Sequence, residues 1–170
     1  MLPEGIDPLD CRYNVIQWVH RSTRGWSYGA SVVDPRTGEI IKGHVSLGSL
    51  RIRQDYMIAQ ALTKDPFISN NQNNQMLELA IARIRQLSAH EIGHTIGFAH
   101  NFAASANNRA SVMDYPHPLV DLKDDEIVFH DVYDTGIGDW DKVTVAYSYS
   151  HFKSDQNEND ELNKILEDAT

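Results

Sequence analysis

Between residues 74 and 96, apolar side chains recur at intervals of three and four. The series consists of Met76, Leu77, Ala80, Ile81, Ile84 and Leu87. At 3.6 residues per turn, this spacing places them on one side of an α-helix of about six turns, and such a stripe is normally buried. We therefore predict a long packed helix over about 74–96. The polar tract at 70–75 has no core-forming side chain and predicts a surface loop ending in the helix N-cap.

The last part of this predicted helix carries the sequence HEIGHTIGFAH at residues 90–100. On a helix, His90 and His94 lie one turn apart on the same face and can reach one tetrahedral metal ion. Glu91 is displaced by about 100° around the axis, where it can face a metal-bound water without being a ligand. Gly97 can adopt the left-handed conformation that ends a helix, and the resulting turn can bring His100 back as a third ligand.

Three neutral imidazoles suit zinc and leave its fourth position to water, which is the arrangement of a catalytic site. Zinc lowers the pKa of such a water to about 7, and Glu91 would accept its proton as it attacks a carbonyl. Glu91 could then pass the proton to a leaving amine. In the alternative interpretation, His90 and His94 are solvated helix residues and His100 is a loop residue.

The extended motif resembles that of the metzincin zinc endopeptidases, and the sequence SVMDYP at 111–116 resembles their second signature, a tight turn with a methionine beneath the metal. The resemblance implies that Met113 forms the apolar floor of the site. Tyr115 corresponds to the tyrosine that can approach the zinc in astacin-like and serralysin-like members. It would be a fifth ligand or a hydrogen-bond donor to the oxyanion, or else a packed aromatic residue.

The resemblance is closest to large bacterial metzincin-like proteases and covers roughly residues 12–150, including stretches at 12–18, 28–40 and 137–141. It implies an α+β fold, in which a small mixed sheet packs on a long active-site helix and an irregular C-terminal part completes the cleft. We expect one catalytic domain over 1–170. Metzincins usually begin with a strand and a helix before the segment that matches Arg12, so we expect a fragment of a longer protein. A secreted or periplasmic location is suggested by the resemblance alone.

The remaining pattern predicts strands and shorter helices on either side of the motif. Strands are expected over 12–19 and in a hairpin over 29–47, and helices over 51–62, 142–149 and 157–166. In metzincins an edge strand pairs with the substrate backbone, and the matching segment here is about Gly43 to Leu50. The resemblance thus implies peptide binding by strand addition at this segment, and an ordinary hairpin edge is the alternative.

Composition excludes several classes of function. The 170 residues carry a net charge of −9 with scattered basic residues, which argues against a nucleic-acid partner. No apolar stretch approaches the roughly 20 residues needed to span a bilayer. Cys11 is the only cysteine, so an internal disulfide is impossible, and we expect it to fill a small core position.

The second half of the chain is rich in carboxylates, which are ligands that calcium prefers. Their spacing does not match an EF-hand, and a solvated acidic face is the favoured interpretation. The residues are Asp121, Asp124, Asp125, Glu126, Asp131, Asp134, Asp139 and Asp141. The remaining histidines lack ligand spacing, and we expect surface or satisfied polar residues at His20, His44, His117, His130 and His151.

The sequence therefore predicts a zinc-dependent endopeptidase that acts on peptides or proteins, with His90, His94 and His100 as ligands and Glu91 and Tyr115 as catalytic residues. One alternative is a catalytically silent zinc-binding module for peptide or partner binding. Glu91 argues against it, because a purely structural zinc site needs no carboxylate there. A second alternative is a hydrolase of non-peptide amides, which would use the same activated water. The sequence leaves the natural substrate, the cleavage preference and the oligomeric state open.

Overall fold

The computed structural model describes residues 1–23, 25–62 and 70–168, without the side chains of 70–74. The chain divides into two compact units. The first comprises Met1–Ala99 and His117–Gly136, and the second comprises His100–Pro116 and the chain from Ile137 onwards. The single catalytic domain expected from the sequence stays a prediction.

The first unit contains a mixed three-stranded sheet. Its strands are β1 (Val15–Val19), β2 (Tyr28–Val33) and β3 (Ile40–Gly48), in the order β1-β3-β2. The first strand runs parallel to β3, and β2 runs antiparallel to β3. The predicted hairpin is confirmed, with Gly38 in its connection at a φ of 78°. Because glycine adopts positive φ without a steric penalty, it suits this tight turn.

The expected edge position of Gly43 to Leu50 is wrong. These residues lie largely in β3, which is the central strand and pairs with β1 on one side and β2 on the other. The backbone groups of β3 therefore already serve two neighbours and cannot accept an added peptide strand. The edges of the described sheet belong to β1 and β2.

Two helices of the first unit flank a small core. The first, α1, spans Leu50–Leu62, close to its predicted bounds, and the long helix α2 spans Asn70–Thr95. The loop expected at 70–75 is wrong, because the backbone of this tract is helical. Adding a residue to an existing helix costs far less than nucleating one, so a helix anchored by packing further along can extend into a polar tract.

The core of the first unit joins α1 and α2 to the segment around residue 132. Its buried members are Ala59, Met76, Leu79, Val132 and Tyr133. The predicted apolar stripe is confirmed at Met76, Ala80 and Leu87, whereas Leu77 and Ile81 are exposed by 47% and 41%. Relative to Met76, Leu77 and Ile81 lie about 100° and 140° around the helix axis, outside the buried face that positions 76, 79, 80 and 87 form.

The first unit also contains a short hairpin that joins β4 (Asp121–Lys123) to β5 (Glu126–Val128), and the carboxylates of this hairpin are exposed as expected. The core position expected for Cys11 is wrong, because this thiol is exposed. It lies in a segment of turns before β1 that contributes no side chain to the core cluster.

The second unit is mostly helical. It contains a 3₁₀ helix (Phe102–Asn107), α3 (Asp139–Tyr149) and α4 (Glu158–Glu167). The two predicted helices are confirmed, with α3 starting three residues before its predicted beginning at 142. Asn157 caps α4, since its side chain accepts a hydrogen bond from the Asn159 amide at 3.1 Å. In the part of the chain that the structure describes, no helix has the length and apolar character needed to cross a membrane.

Candidate metal centre

In the first unit, α2 presents His90 and His94 as a close pair. Their Nε2 atoms are 3.2 Å apart, and the two rings are nearly perpendicular. Two nitrogens bound to one tetrahedral zinc ion are separated by about 3.3 Å, given Zn–N bonds of about 2.0–2.1 Å. His90 is buried and His94 is half-buried. The pair therefore has the spacing that one zinc ion requires.

The end of α2 fixes the orientation of His94. Gly97 has a φ of 93°, its amide donates to the His94 carbonyl at 3.1 Å, and the Phe98 amide donates to Gly93 at 3.1 Å. This is a Schellman ending, so the predicted left-handed Gly97 is confirmed. His94 Nδ1 lies 2.8 Å from the Phe98 carbonyl, which can only accept a hydrogen bond. When the ring is neutral, this contact keeps its proton on Nδ1 and leaves Nε2 with the lone pair that a metal ligand needs.

Glu91 lies one residue after His90 and is 5% exposed. Burial raises the pKa of its carboxyl group above the usual range. The charge of His94, a hydrogen bond from the Gly29 amide and the charge of Arg83 act in the opposite direction. A desolvated carboxylate held beside the histidine pair is suited to accept a proton, because a raised pKa makes it a stronger base.

The sheet approaches α2 closely at two glycines. A Cβ atom added to Gly29 in β2 would lie 1.9 Å from the carbonyl oxygen of Glu91. One added to Gly43 in β3 would lie 3.0 Å from the Cβ atom of Thr95. The first distance is far inside van der Waals contact, so only glycine permits this packing at Gly29. The backbone of β2 thus sets the position of the helical turn that carries Glu91.

We predict that Gly29→Ala lowers the free energy of unfolding by about 1–3 kcal/mol, the usual cost of overpacking. The strand and α2 must separate to admit the methyl group. Gly48→Ala is the matched control, since a Cβ there meets nothing closer than 3.9 Å. Urea denaturation of both variants measures the difference. Equal stability of the two variants would contradict the close approach.

In the second unit, a buried carboxylate organises the turn that contains Met113. One Asp141 oxygen accepts a hydrogen bond from the Ser111 hydroxyl at 2.5 Å, and the other accepts from the amides of Val112 and Gly138, each at 2.7 Å. The Met113 amide in turn donates to the Ser111 hydroxyl at 3.0 Å. Met113 itself is 3% exposed. The side chain of Asp141 therefore connects the first two residues of the turn, Ser111 and Val112, to the start of α3.

The solvated position expected for Asp141 is wrong, since this residue is 5% exposed. The sequence did contain a usable signal. Asp141 is the third residue of a helix that follows Gly138, and an acidic residue at this position commonly bonds back to the N-cap amide. The neighbouring Asp139 is exposed, as expected.

The same turn is tied to the segment that follows His100. The Asn101 amide donates to the Met113 carbonyl at 2.9 Å. Asp114 is buried and accepts hydrogen bonds from the Ser105 hydroxyl and, at 2.7 Å, from the Tyr115 amide. His100 and Tyr115 thus extend from two backbone segments that are joined at several points.

These hydrogen bonds between the two segments bring the side chains of His100 and Tyr115 together. The Tyr115 hydroxyl lies 2.8 Å from His100 Nε2, and the ring centroids are 4.8 Å apart. Tyr115 is 56% exposed, so it is in contact with the histidine without being enclosed. Its assignment as a metal ligand, a hydrogen-bond donor or a packed aromatic residue stays a prediction, as does calcium binding by the acidic residues.

The first unit thus holds His90, Glu91 and His94, and the second holds His100, Met113 and Tyr115. A histidine pair of this geometry, with an adjacent buried glutamate on a helix that packs against a mixed sheet, is typical of metal-binding proteins of the metzincin class.

The Met-zincin family matches residues 72–170, more than half of the chain, and the chain belongs to this family. The matched region includes both motifs on which the resemblance rests, so the predicted resemblance and the α+β fold are confirmed. No curated protein and no solved structure matches the chain.

Proposed function

We propose that the chain is the catalytic region of a zinc-dependent endopeptidase, with zinc held by His90, His94 and His100. The observation that carries the proposal is the His90 and His94 pair at zinc spacing beside a buried glutamate. It is supported by the family and by the chemistry of the three ring nitrogens, which form a candidate ligand set among the described residues. Nitrogen ligands of this kind suit zinc.

A bound zinc ion would supply a Lewis acid that polarises a peptide carbonyl and acidifies a water molecule. Glu91 accepts the proton of the attacking water and delivers it to the nitrogen of the leaving amine. The hydroxyl of Tyr115 can donate a hydrogen bond to the oxygen on which negative charge develops. The family resemblance implies that Met113 forms the apolar floor of the site.

The peptide substrate is proposed to bind along β2 instead of β3. Among the described strands, β2 lies at an edge of the sheet and runs antiparallel to its neighbour. Gly29 in this strand already donates its amide to Glu91, so a peptide added to β2 would pass close to the general base. Main-chain hydrogen bonds of such an added strand bind a peptide largely independently of its sequence.

The proposal is tested by zinc content and by cleavage of a mixed peptide library, with His94→Ala as the variant. We expect about one zinc ion per wild-type chain. In the variant we expect zinc affinity to fall by at least about 100-fold. Mutating a residue that only hydrogen-bonds to a metal ligand already weakens metal binding by up to about 100-fold, and removing the ligand itself should cost no less. His44→Ala is the matched control, since His44 lies in β3 and stacks on Tyr28. A wild-type chain without zinc, or a His94→Ala variant that retains it, would contradict the proposal.

The same experiment, with a set of non-peptide amides added to the peptide library, separates the rival functions. Zinc binding without cleavage of any library peptide would favour a silent binding module. Cleavage of non-peptide amides in preference to peptides would favour a different hydrolase. Only zinc-dependent peptide cleavage supports the endopeptidase.

A further inference from the structure

An aromatic side chain outside both sequence motifs contacts the proposed third ligand. Phe102 stacks on His100, with ring centroids 5.3 Å apart and planes inclined by 27°. It also contacts Tyr115, with centroids 5.7 Å apart. His100, Phe102 and Tyr115 thus form a cluster in which each ring contacts the other two. We call this set the aromatic cluster.

Phe102 is 59% exposed, so burial in a core does not account for its position. It is the first residue of the 3₁₀ helix and follows Asn101, whose amide donates a hydrogen bond to the Met113 carbonyl. The backbone ties described above fix where the side chains of the aromatic cluster begin. The ring contacts within the aromatic cluster add a restraint on the rotation of the His100 and Tyr115 side chains.

Restricting an exposed histidine before it binds a metal favours binding, because the rotational freedom is lost beforehand. A ring stacked at 27° limits rotation of the imidazole about its side-chain bonds and supports the plane in which its nitrogens lie. The same ring contacts Tyr115, whose hydroxyl reaches His100 Nε2 at 2.8 Å. One exposed phenyl group therefore supports both side chains.

We propose that Phe102 is a positioning residue of the zinc site, which orients the His100 imidazole and the Tyr115 phenol for their roles. This inference rests on the proposed function, since it assumes that His100 binds zinc. Phe102 acts through the two side chains that it contacts and takes no part in proton transfer.

The test measures zinc affinity of the full chain by competition with a chelator of known affinity, for wild type, Phe102→Ala and Phe102→Tyr. Aromatic pairs contribute about 0.5–1.5 kcal/mol, so we expect the alanine variant to bind zinc roughly 2- to 10-fold more weakly. The tyrosine variant restores a flat ring and should return to within about 2-fold of wild type. Tyr147→Ala, which removes an exposed aromatic from α3, is the matched control and should bind zinc as wild type does.

A second measurement separates positioning from general stability. Cobalt(II) replaces zinc in sites of this kind and absorbs visible light with a spectrum that depends on ligand geometry. We expect Phe102→Ala to change that spectrum while the melting temperature of the metal-free chain stays near the wild-type value. Phe102→Leu replaces the alanine variant if that variant does not fold. Leucine keeps much of the apolar volume but has no flat ring, so we expect Phe102→Leu to weaken zinc binding too.

The inference is overturned if Phe102→Ala, or Phe102→Leu in its place, matches wild type in zinc affinity and cobalt spectrum. It is also overturned if Phe102→Tyr binds as weakly as Phe102→Ala, or if Tyr147→Ala weakens zinc binding equally. Failure of the proposed function is distinguishable, because the wild-type chain itself would then bind no zinc, or would bind zinc without cleaving any peptide.

Discussion

Glu91→Gln is expected to lower kcat/KM for peptide cleavage by about 10²- to 10⁴-fold while the chain keeps its zinc. Glutamine has nearly the same volume, and its side-chain oxygen can still accept the hydrogen bond from the Gly29 amide. It cannot accept the proton of an attacking water. The loss therefore isolates proton transfer from packing. The measurement is steady-state cleavage of a peptide chosen from the library, with zinc content determined on the same samples.

Glu78→Gln is the matched control, because Glu78 is an exposed glutamate on the same helix. We expect this variant to cleave peptide at the wild-type rate. If Glu91→Gln retained activity within a few-fold of wild type, Glu91 would not be the general base. If it lost its zinc as well, the carboxylate would support the ligands instead of the reaction.

Asp141→Ala is expected to lower the free energy of unfolding by about 3–5 kcal/mol, because each buried donor that is left without an acceptor costs about 1–3 kcal/mol. The substitution removes the acceptor of three hydrogen bonds, those from the Ser111 hydroxyl and from the amides of Val112 and Gly138. Buried donors without an acceptor lose the hydration that they have in the unfolded chain. Urea denaturation of the metal-free chain gives the difference in stability.

Asp139→Ala controls for the removal of a carboxylate from the same helical turn. The side chain of Asp139 is 93% exposed and pairs with Lys142 at 2.7 Å. Exposed ion pairs contribute little, so this variant should lie within about 0.5 kcal/mol of wild type. A similar loss in both variants would show that the buried hydrogen bonds of Asp141 are not what stabilises the turn.

The helix and the first half of the candidate site could be predicted because their signals are local. The spacing of apolar residues predicts α2, and the four-residue interval between His90 and His94 places both rings on one face of any helix. The left-handed Gly97 is also local, since a glycine just after a helix commonly adopts that conformation. Even so, local pattern misjudged the start of α2 at Asn70, because helix extension into a polar tract depends on how firmly the rest is packed.

The sequence by itself thus determined the long helix, the histidine pair with its glutamate, and the family resemblance. Only the tertiary structure decided that β3 is central, that Gly29 lies against Glu91, that Cys11 is exposed and that Asp141 is buried. The hydrogen bond between Ser111 and the buried Asp141 joins residues 30 positions apart. Strand order and burial depend on pairings between distant segments, and a pattern of near neighbours carries no information about which distant segment will be the partner.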